Sequence, residues 1–239
     1  MRAARPVRLA GLALGVGLAL AAGAAGATEA ETPVRPPVAT SASPSALRVY
    51  LVRHAQAWKN VPALRRPPGM SEEQLDSLTE KGQEQARAIG RRLRGAGITR
   101  VVSSPAQRAR QTAEAIAGEL GIGPVEVSEA FQPLQHGTSR QAADFRWRTG
   151  HWKAGRDPRP EGGESLADGL ARAAADLDAR AAAAPGTAIV VVTHGEITAA
   201  LRSRAAGISP LAGHESNFVP EATVSEVAIT PHRWQLLSK

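Results

Sequence analysis

There is no cysteine among the 239 residues. That absence excludes a disulfide framework, a Cys-ligated zinc, a thiolate nucleophile and a lipidated Cys at a processed N-terminus. Stability must come from packing, and a chain of this length buries a substantial core. Internal repeats are missing too. So are acidic clusters or His pairs at the spacings that ligate metals, and no metal or cofactor is expected. Lysine is scarce, with 4 Lys against 25 Arg. The net charge of +7 raises nucleic acid or an anionic membrane as a partner.

The N-terminus accounts for part of that charge. Arg2, Arg5 and Arg8 precede an apolar run from Leu9 to Ala22, and Ala25-Gly26-Ala27 supplies small residues. This layout predicts a secretory signal peptide over residues 1–27, cleaved near Ala27, with export to a periplasm or the medium. No adjacent Arg pair marks a twin-arginine signal. An uncleaved anchor is the alternative, since the uncharged stretch to Ala27 nearly spans a bilayer. Its Ala and Gly content favours cleavage, so no stable membrane insertion is expected afterwards. Removing residues 1–27 leaves a net charge of +4. Residues 28–46, rich in Pro, Ser, Thr and Ala, read as a linker, and residues 47–239 as the folded domain.

Strand and helix signals alternate through that domain. RVYLV at 48–52, RVVS at 100–103, a weaker run at 125–128 and AIVVVT at 188–193 read as strands. Helical spacing covers 79–93, 105–120, 164–184 and 194–204, with Leu166, Leu170, Ala173 and Leu177 on one face. Pro105 falls where a first helical turn tolerates it. A hairpin turning at Thr230-Pro231 closes the pattern. The expected fold is α/β: a three-layer αβα sandwich around a mostly parallel sheet.

In such sheets ligands bind beyond the carboxyl ends of the strands. Arg53 and His54 follow the first strand, Ser103, Ser104 and then Arg108 the second, Glu129 the third and His194 the fourth. Arginine forks match phosphate oxygens, and an imidazole can carry a phosphoryl group covalently. The helix start at Gly195 adds backbone donors for an anion. Together they suit phosphoryl transfer without a metal.

Five segments then match one family in order. Leu51-Val-Arg-His-Ala-Gln-Ala-Trp-Lys-Asn60 resembles the Leu-x-Arg-His-Gly-x-x-x-x-Asn signature of the histidine phosphatase superfamily, the phosphoglycerate mutase-like fold. Leu78-Thr-Glu-Lys-Gly82 with Gln85-Ala86, Ser103-Ser-Pro-Ala-Gln-Arg-Ala-Arg-Gln-Thr-Ala113, Gly162-Gly-Glu-Ser-Leu166 and Val192-Thr-His-Gly195 follow. The resemblance implies that His54 is the nucleophile. It implies that Arg53, Arg108 and His194 hold the phosphoryl oxygens and that Asn60 donates a further hydrogen bond. Glu129 matches the proton donor by position, although Ser128-Glu-Ala-Phe131 lacks the family's Gly-x-Trp-Glu-Gly continuation. Glu164 and Glu161 are the reserves. Ala55 replaces the usual Gly and adds one methyl group.

The expected activity is that of an exported, metal-independent phosphatase acting on small phosphate monoesters through a phosphohistidine. The alternatives are a phosphoglycerate mutase-type transferase and a catalytically silent phosphate-binding protein. Ser103 and Ser104 read as turn or cap residues. Trp147 and Trp152 interleave with Arg146, Arg148 and Lys153, a pattern that can bind nucleic acid. A lid or amphipathic helix explains it better, and no nucleic-acid partner is expected. His136 and His151 are candidates to line the pocket. The loops at 61–70 and 136–160 are expected to set specificity.

Overall fold

The computed structural model describes residues 43–238. The expected signal segment and nearly all of the expected linker lie outside the described residues. The strands are β1 (Leu47–Arg53), β2 (Ile98–Ser103), β3 (Glu126–Val127), β4 (Ala188–Thr193), β5 (Val224–Thr230) and β6 (Arg233–Ser238). The helices are α1 (Glu72–Asp76), α2 (Glu80–Arg92), α3 (Gln107–Leu120), α4 (Arg140–Ala143), α5 (Phe145–Lys153), α6 (Leu166–Ala183), α7 (Gly195–Ala205) and α8 (Pro210–Gly213). One six-stranded sheet runs β3-β2-β4-β1-β5-β6. Strands β1 to β4 pair in parallel, and the β5–β6 hairpin joins antiparallel beside β1.

Alternation along the central strands builds two cores. Leu47, Val49 and Leu51 of β1 join Ile189 and Val191 of β4 against α6 and α7, through Leu166, Leu177, Ile197 and Leu201. Tyr50, Val52, Val190 and Val192 face the other way, onto Ile89 of α2 and Ala109, Ala113 and Ile116 of α3. Helices therefore cover both faces, the three layers expected from unbroken apolar strands. Truncating a fully buried side chain such as Leu177 to Ala would cost about 2–5 kcal/mol.

Local chemistry sets the ends of the helices. Thr79 caps α2 by accepting from the Gly82 amide at 3.0 Å. Ser165 and Asp168 form a reciprocal capping box on α6. Gly82 is fixed by contact, because a Cβ there would fall 2.0 Å from the Gln56 carbonyl oxygen. The chain after β1 therefore lies directly on the start of α2.

Four boundaries differ from expectation. β3 shrinks to two exposed residues at the sheet edge, and of this segment only Val125, just before it, packs against the second core. Pro105 precedes the N-cap Ala106 instead of entering α3. Glu164 precedes the cap Ser165 and does not open the helix. The supposed loop at 136–160 contains α4 and α5, held by the buried side chains of Ala142, Arg148 and Trp152.

Candidate active site

Backbone pairing continues one residue beyond the central strands. The His54 amide donates to Thr193 O and the Ser104 amide to Val192 O, each at 2.9 Å. The carboxyl ends of β1, β2 and β4 are thereby aligned, and their following residues share one edge. His54 and His194 lie with ring centroids 5.3 Å apart, and both are almost fully buried.

The tautomers follow from their partners. His54 Nδ1 lies 2.9 Å from Ala55 O. A carbonyl only accepts, so Nδ1 carries the hydrogen and Nε2 keeps its lone pair. Burial, then the Arg108 guanidinium, pushes this imidazole down to about 3. It is a neutral base at physiological pH. Arg108 Nη2 lies 2.8 Å from His194 Nδ1 and can only donate to it. His194 Nε2 therefore carries the hydrogen and donates to Ser104 Oγ at 2.7 Å. Burial and then Arg108 hold His194 well below its ordinary value.

Each arginine is set by a carboxylate. Arg53 donates to Glu221 and to Val219 O, each at 2.7 Å, and its guanidinium lies 4.9 Å from the Phe218 ring centre. Arg108 pairs with Asp76, which also accepts from Lys59 at 2.7 Å and from the Gln107 amide at 2.9 Å. Burial would raise the Asp76 carboxyl, yet Lys59 and Arg108 together hold it below the usual range. Two donors remain open. The Nε atoms of Arg53 and Arg108 are buried and have no hydrogen-bond partner among the described residues. Unpaired buried donors are uncommon in folded proteins, and an oxyanion would satisfy them.

Asn60 ends a short 3-10 turn at Trp58–Asn60, where its Oδ1 accepts from the Ala57 amide at 3.0 Å. Gly195 is the first residue of α7, so its amide belongs to the unpaired helix start. A Cβ at Gly195 would fall 2.8 Å from the Phe218 ring and 3.3 Å from Arg53 Cζ. Glu129 begins a 3-10 turn on the same rim. Thr193 Oγ1 donates to Phe131 O at 2.7 Å, and the Ser128 amide donates to Ser103 O at 2.9 Å. Its side chain is exposed, and its carboxylate makes no hydrogen bond or ion pair among the described residues.

The reserve acids are placed differently. Glu164 is bound through two contacts of 2.8 Å to Arg172, and it accepts from the Gln135 amide at 3.1 Å. Arg172 also holds the carbonyls of Glu129 and Ala130, so this pair braces the rim. Glu161 is exposed. Trp152 is buried in the core, and buried Arg148 donates to the carbonyls of Ala142, Glu164 and Gln135. That part of the aromatic and cationic pattern is spent inside the fold. His136 is exposed, and His151 packs on Trp147 with centroids 4.4 Å apart. A cavity of about 600 Å³ opens at Trp152, Ser209, Leu211, His214 and Glu215, and none of the site residues lines it.

Sequence reasoning missed Asp76, Glu221 and Phe218, and it underrated Ser104. Ser104 accepts from the Ala106 amide at 3.3 Å, as a turn residue does, and it also holds His194. It lies within a matched segment, which was the available signal. The other three lie outside every matched segment.

Residues 49–239 match the family model of the histidine phosphatase superfamily (branch 1). A probable phosphoglycerate mutase GpmB of Erwinia tasmaniensis is 34% identical over 169 residues, covering 68% of this chain and 76% of the relative. A structure named mycobacterial hydrolase 1 superposes with TM-score 0.63 at 25% identity, covering 80% of this chain and 96% of its own. A mycobacterial glucosyl-3-phosphoglycerate phosphatase gives TM-score 0.61 at 25% identity, with coverage of 81% and 98%.

Proposed function

The chain belongs to the histidine phosphatase superfamily, branch 1, and from that premise we propose that it hydrolyses phosphate monoesters through a phosphohistidine on His54. One observation carries the reading. A neutral, buried imidazole with its Nε2 lone pair free stands beside two arginines whose buried Nε donors lack partners.

The chemistry follows from those positions. Arg53, Arg108, the Asn60 amide group and the Gly195 backbone N–H hold the phosphoryl oxygens and offset their growing charge, and His194 joins them by turning its Nε2–H from Ser104 Oγ to a phosphoryl oxygen. The His54 Nε2 lone pair attacks phosphorus, forming an N–P bond as the ester P–O bond breaks. Glu129, in its acid form, gives the leaving alkoxide a proton. The resulting carboxylate then takes a proton from water, whose oxygen attacks phosphorus. The N–P bond breaks, and inorganic phosphate leaves with His54 restored. Export through residues 1–27 belongs to the same proposal, supported by the charged and apolar pattern there, and the partner is a small phosphorylated molecule.

A mutase-type transfer is the second reading, supported by the name of the 34% identical relative. It shares the phosphohistidine and differs only in the acceptor. Turnover of an aryl phosphate, with an acid-labile phosphoenzyme that His54→Ala abolishes, is the expected result. Full activity in that variant overturns the mechanism. Isomerisation of 3-phosphoglycerate without phosphate release would favour the mutase. Tight phosphate binding without turnover of any ester would favour a silent binding protein.

A further inference from the structure

Aromatic residues make up only 3% of the chain: three Phe, four Trp and one Tyr. Their placement is uneven. Phe145 and Trp152 of α5 converge with Phe218 and the ring of His214, at centroid separations between 4.5 and 6.2 Å. Two of the chain's three phenylalanines stand in this one cluster.

The cluster borders the phosphate-holding groups directly. The Phe218 ring lies under the Arg53 guanidinium at 4.9 Å and close enough to Gly195 to exclude a Cβ there. Phe145 stands next to Phe218, with centroids 5.7 Å apart. Trp152 and His214 form the buried base of the group, at 2% and 4% exposure. Phe145 is 43% exposed, although three rings lie close enough for it to pack among them. The group thus grades from a buried base to an open aromatic edge, beginning at the arginine beside the nucleophile.

We propose that Phe145 and Phe218 form the subsite for the alcohol part of the substrate, which makes the preferred substrates phosphate monoesters of flat, apolar alcohols over those of small polyols. The proposal rests on the phosphomonoesterase reading above and deepens it. A flat apolar group bound beside Arg53 would stack on the exposed ring and remove both surfaces from water. These rings offer a polyol no strong hydrogen-bond partner, and burying hydroxyls unpaired is unfavourable.

Non-hydrolysable phosphonates test this without interference from leaving-group reactivity. In the full-length wild-type protein, benzylphosphonate should inhibit about 10-fold more tightly than methylphosphonate, the scale of one well-placed apolar contact. In Phe145→Ala the two inhibition constants should converge, whereas Phe145→Leu should retain part of the difference. The ratio of kcat/KM for 1-naphthyl phosphate to that for glycerol phosphate should fall in Phe145→Ala by a similar factor, through KM. Equal inhibition by the two phosphonates in the wild type, or an unaltered ratio in Phe145→Ala, overturns the subsite. The wild-type comparison stands even if the variant fails to fold. Failure of the underlying reading looks different: neither ester would be turned over, while calorimetry would still measure the phosphonate preference.

Discussion

Asp76 holds Arg108 by its guanidinium while accepting a hydrogen bond from the Gln107 amide at 2.9 Å, so one carboxylate orients both the arginine and the helix turn that carries it. Arg108 in turn holds His194. A charge placed by so few contacts depends on each of them. Asp76→Asn keeps the shape but weakens the pairing with Arg108 and Lys59. The expected outcome is a fall in kcat/KM of about 10²-fold, the scale of a misplaced catalytic group. The inhibition constant for inorganic phosphate should rise in parallel, with little change in Tm. Wild-type phosphate inhibition in this variant would remove Asp76 from the positioning role.

The matched segments are legible because they meet at the site, and the structure gives most of their residues a task. In the segment around Arg108, Thr112 Oγ1 accepts from the Ala55 amide at 3.0 Å, and Gln111 Oε1 accepts from the Leu78 amide at 2.7 Å. The first, second and third segments thus tie to one another through side chains. Two-sided apolar strands announced the layers in the same way. Asp76 and Glu221 left no such trace. A carboxylate that orients an arginine can come from any loop passing within reach, so local spacing carries no mark of it. The run at 146–153 was legible as an amphipathic helix, and α5 is there, but α4 and the depth of the packing were hidden for a related reason. Arg148 and Trp152, charged and aromatic residues that read as surface, are buried there.

Gly195 is a helix-start glycine whose replacement by Ala would normally favour the helix by up to about 1 kcal/mol. Here the added methyl would meet the Phe218 ring at 2.8 Å and crowd Arg53. Gly195→Ala should therefore lose at least about 10-fold in kcat/KM through displacement of Arg53, since phosphoryl transfer relies on positioned charge. The denaturation midpoint should move little. A crystal structure of the variant should show Phe218 shifted away from α7. Activity equal to wild type would mean that Phe218 yields without disturbing Arg53.

Protonation links the two histidines to stability. His54 is pushed from 6.5 to about 3, and His194 is also lowered, so the unfolded chain binds more protons than the folded one between those values. The stabilisation is complete above pH 6.5 and is lost as pH falls towards about 3. His54 contributes a slope of about 1.4 kcal/mol per pH unit in that window, and His194 acts in the same direction. Denaturant unfolding at pH 7.5 and pH 5 should show a clear loss in wild type and a smaller one in His54→Gln. An equal loss in both proteins would mean that His54 is protonated in the folded state.

Glu129 and Glu164 separate by the ester chosen. A nitrophenolate leaves unaided, whereas an alkoxide needs a proton in the transition state. Glu129→Gln should lower kcat about 10²-fold or more on an alkyl phosphate. On 4-nitrophenyl phosphate it should act only on the second half-reaction, where the carboxylate activates water. A burst of nitrophenol followed by slow turnover is the expected trace. Glu164→Gln should behave differently, because Glu164 is paired with Arg172, which also holds the carbonyls of Glu129 and Ala130. Its effect should fall on stability and be independent of the leaving group. A leaving-group-dependent loss in Glu164→Gln, with none in Glu129→Gln, would transfer the proton-donor role from the exposed carboxylate to the paired one.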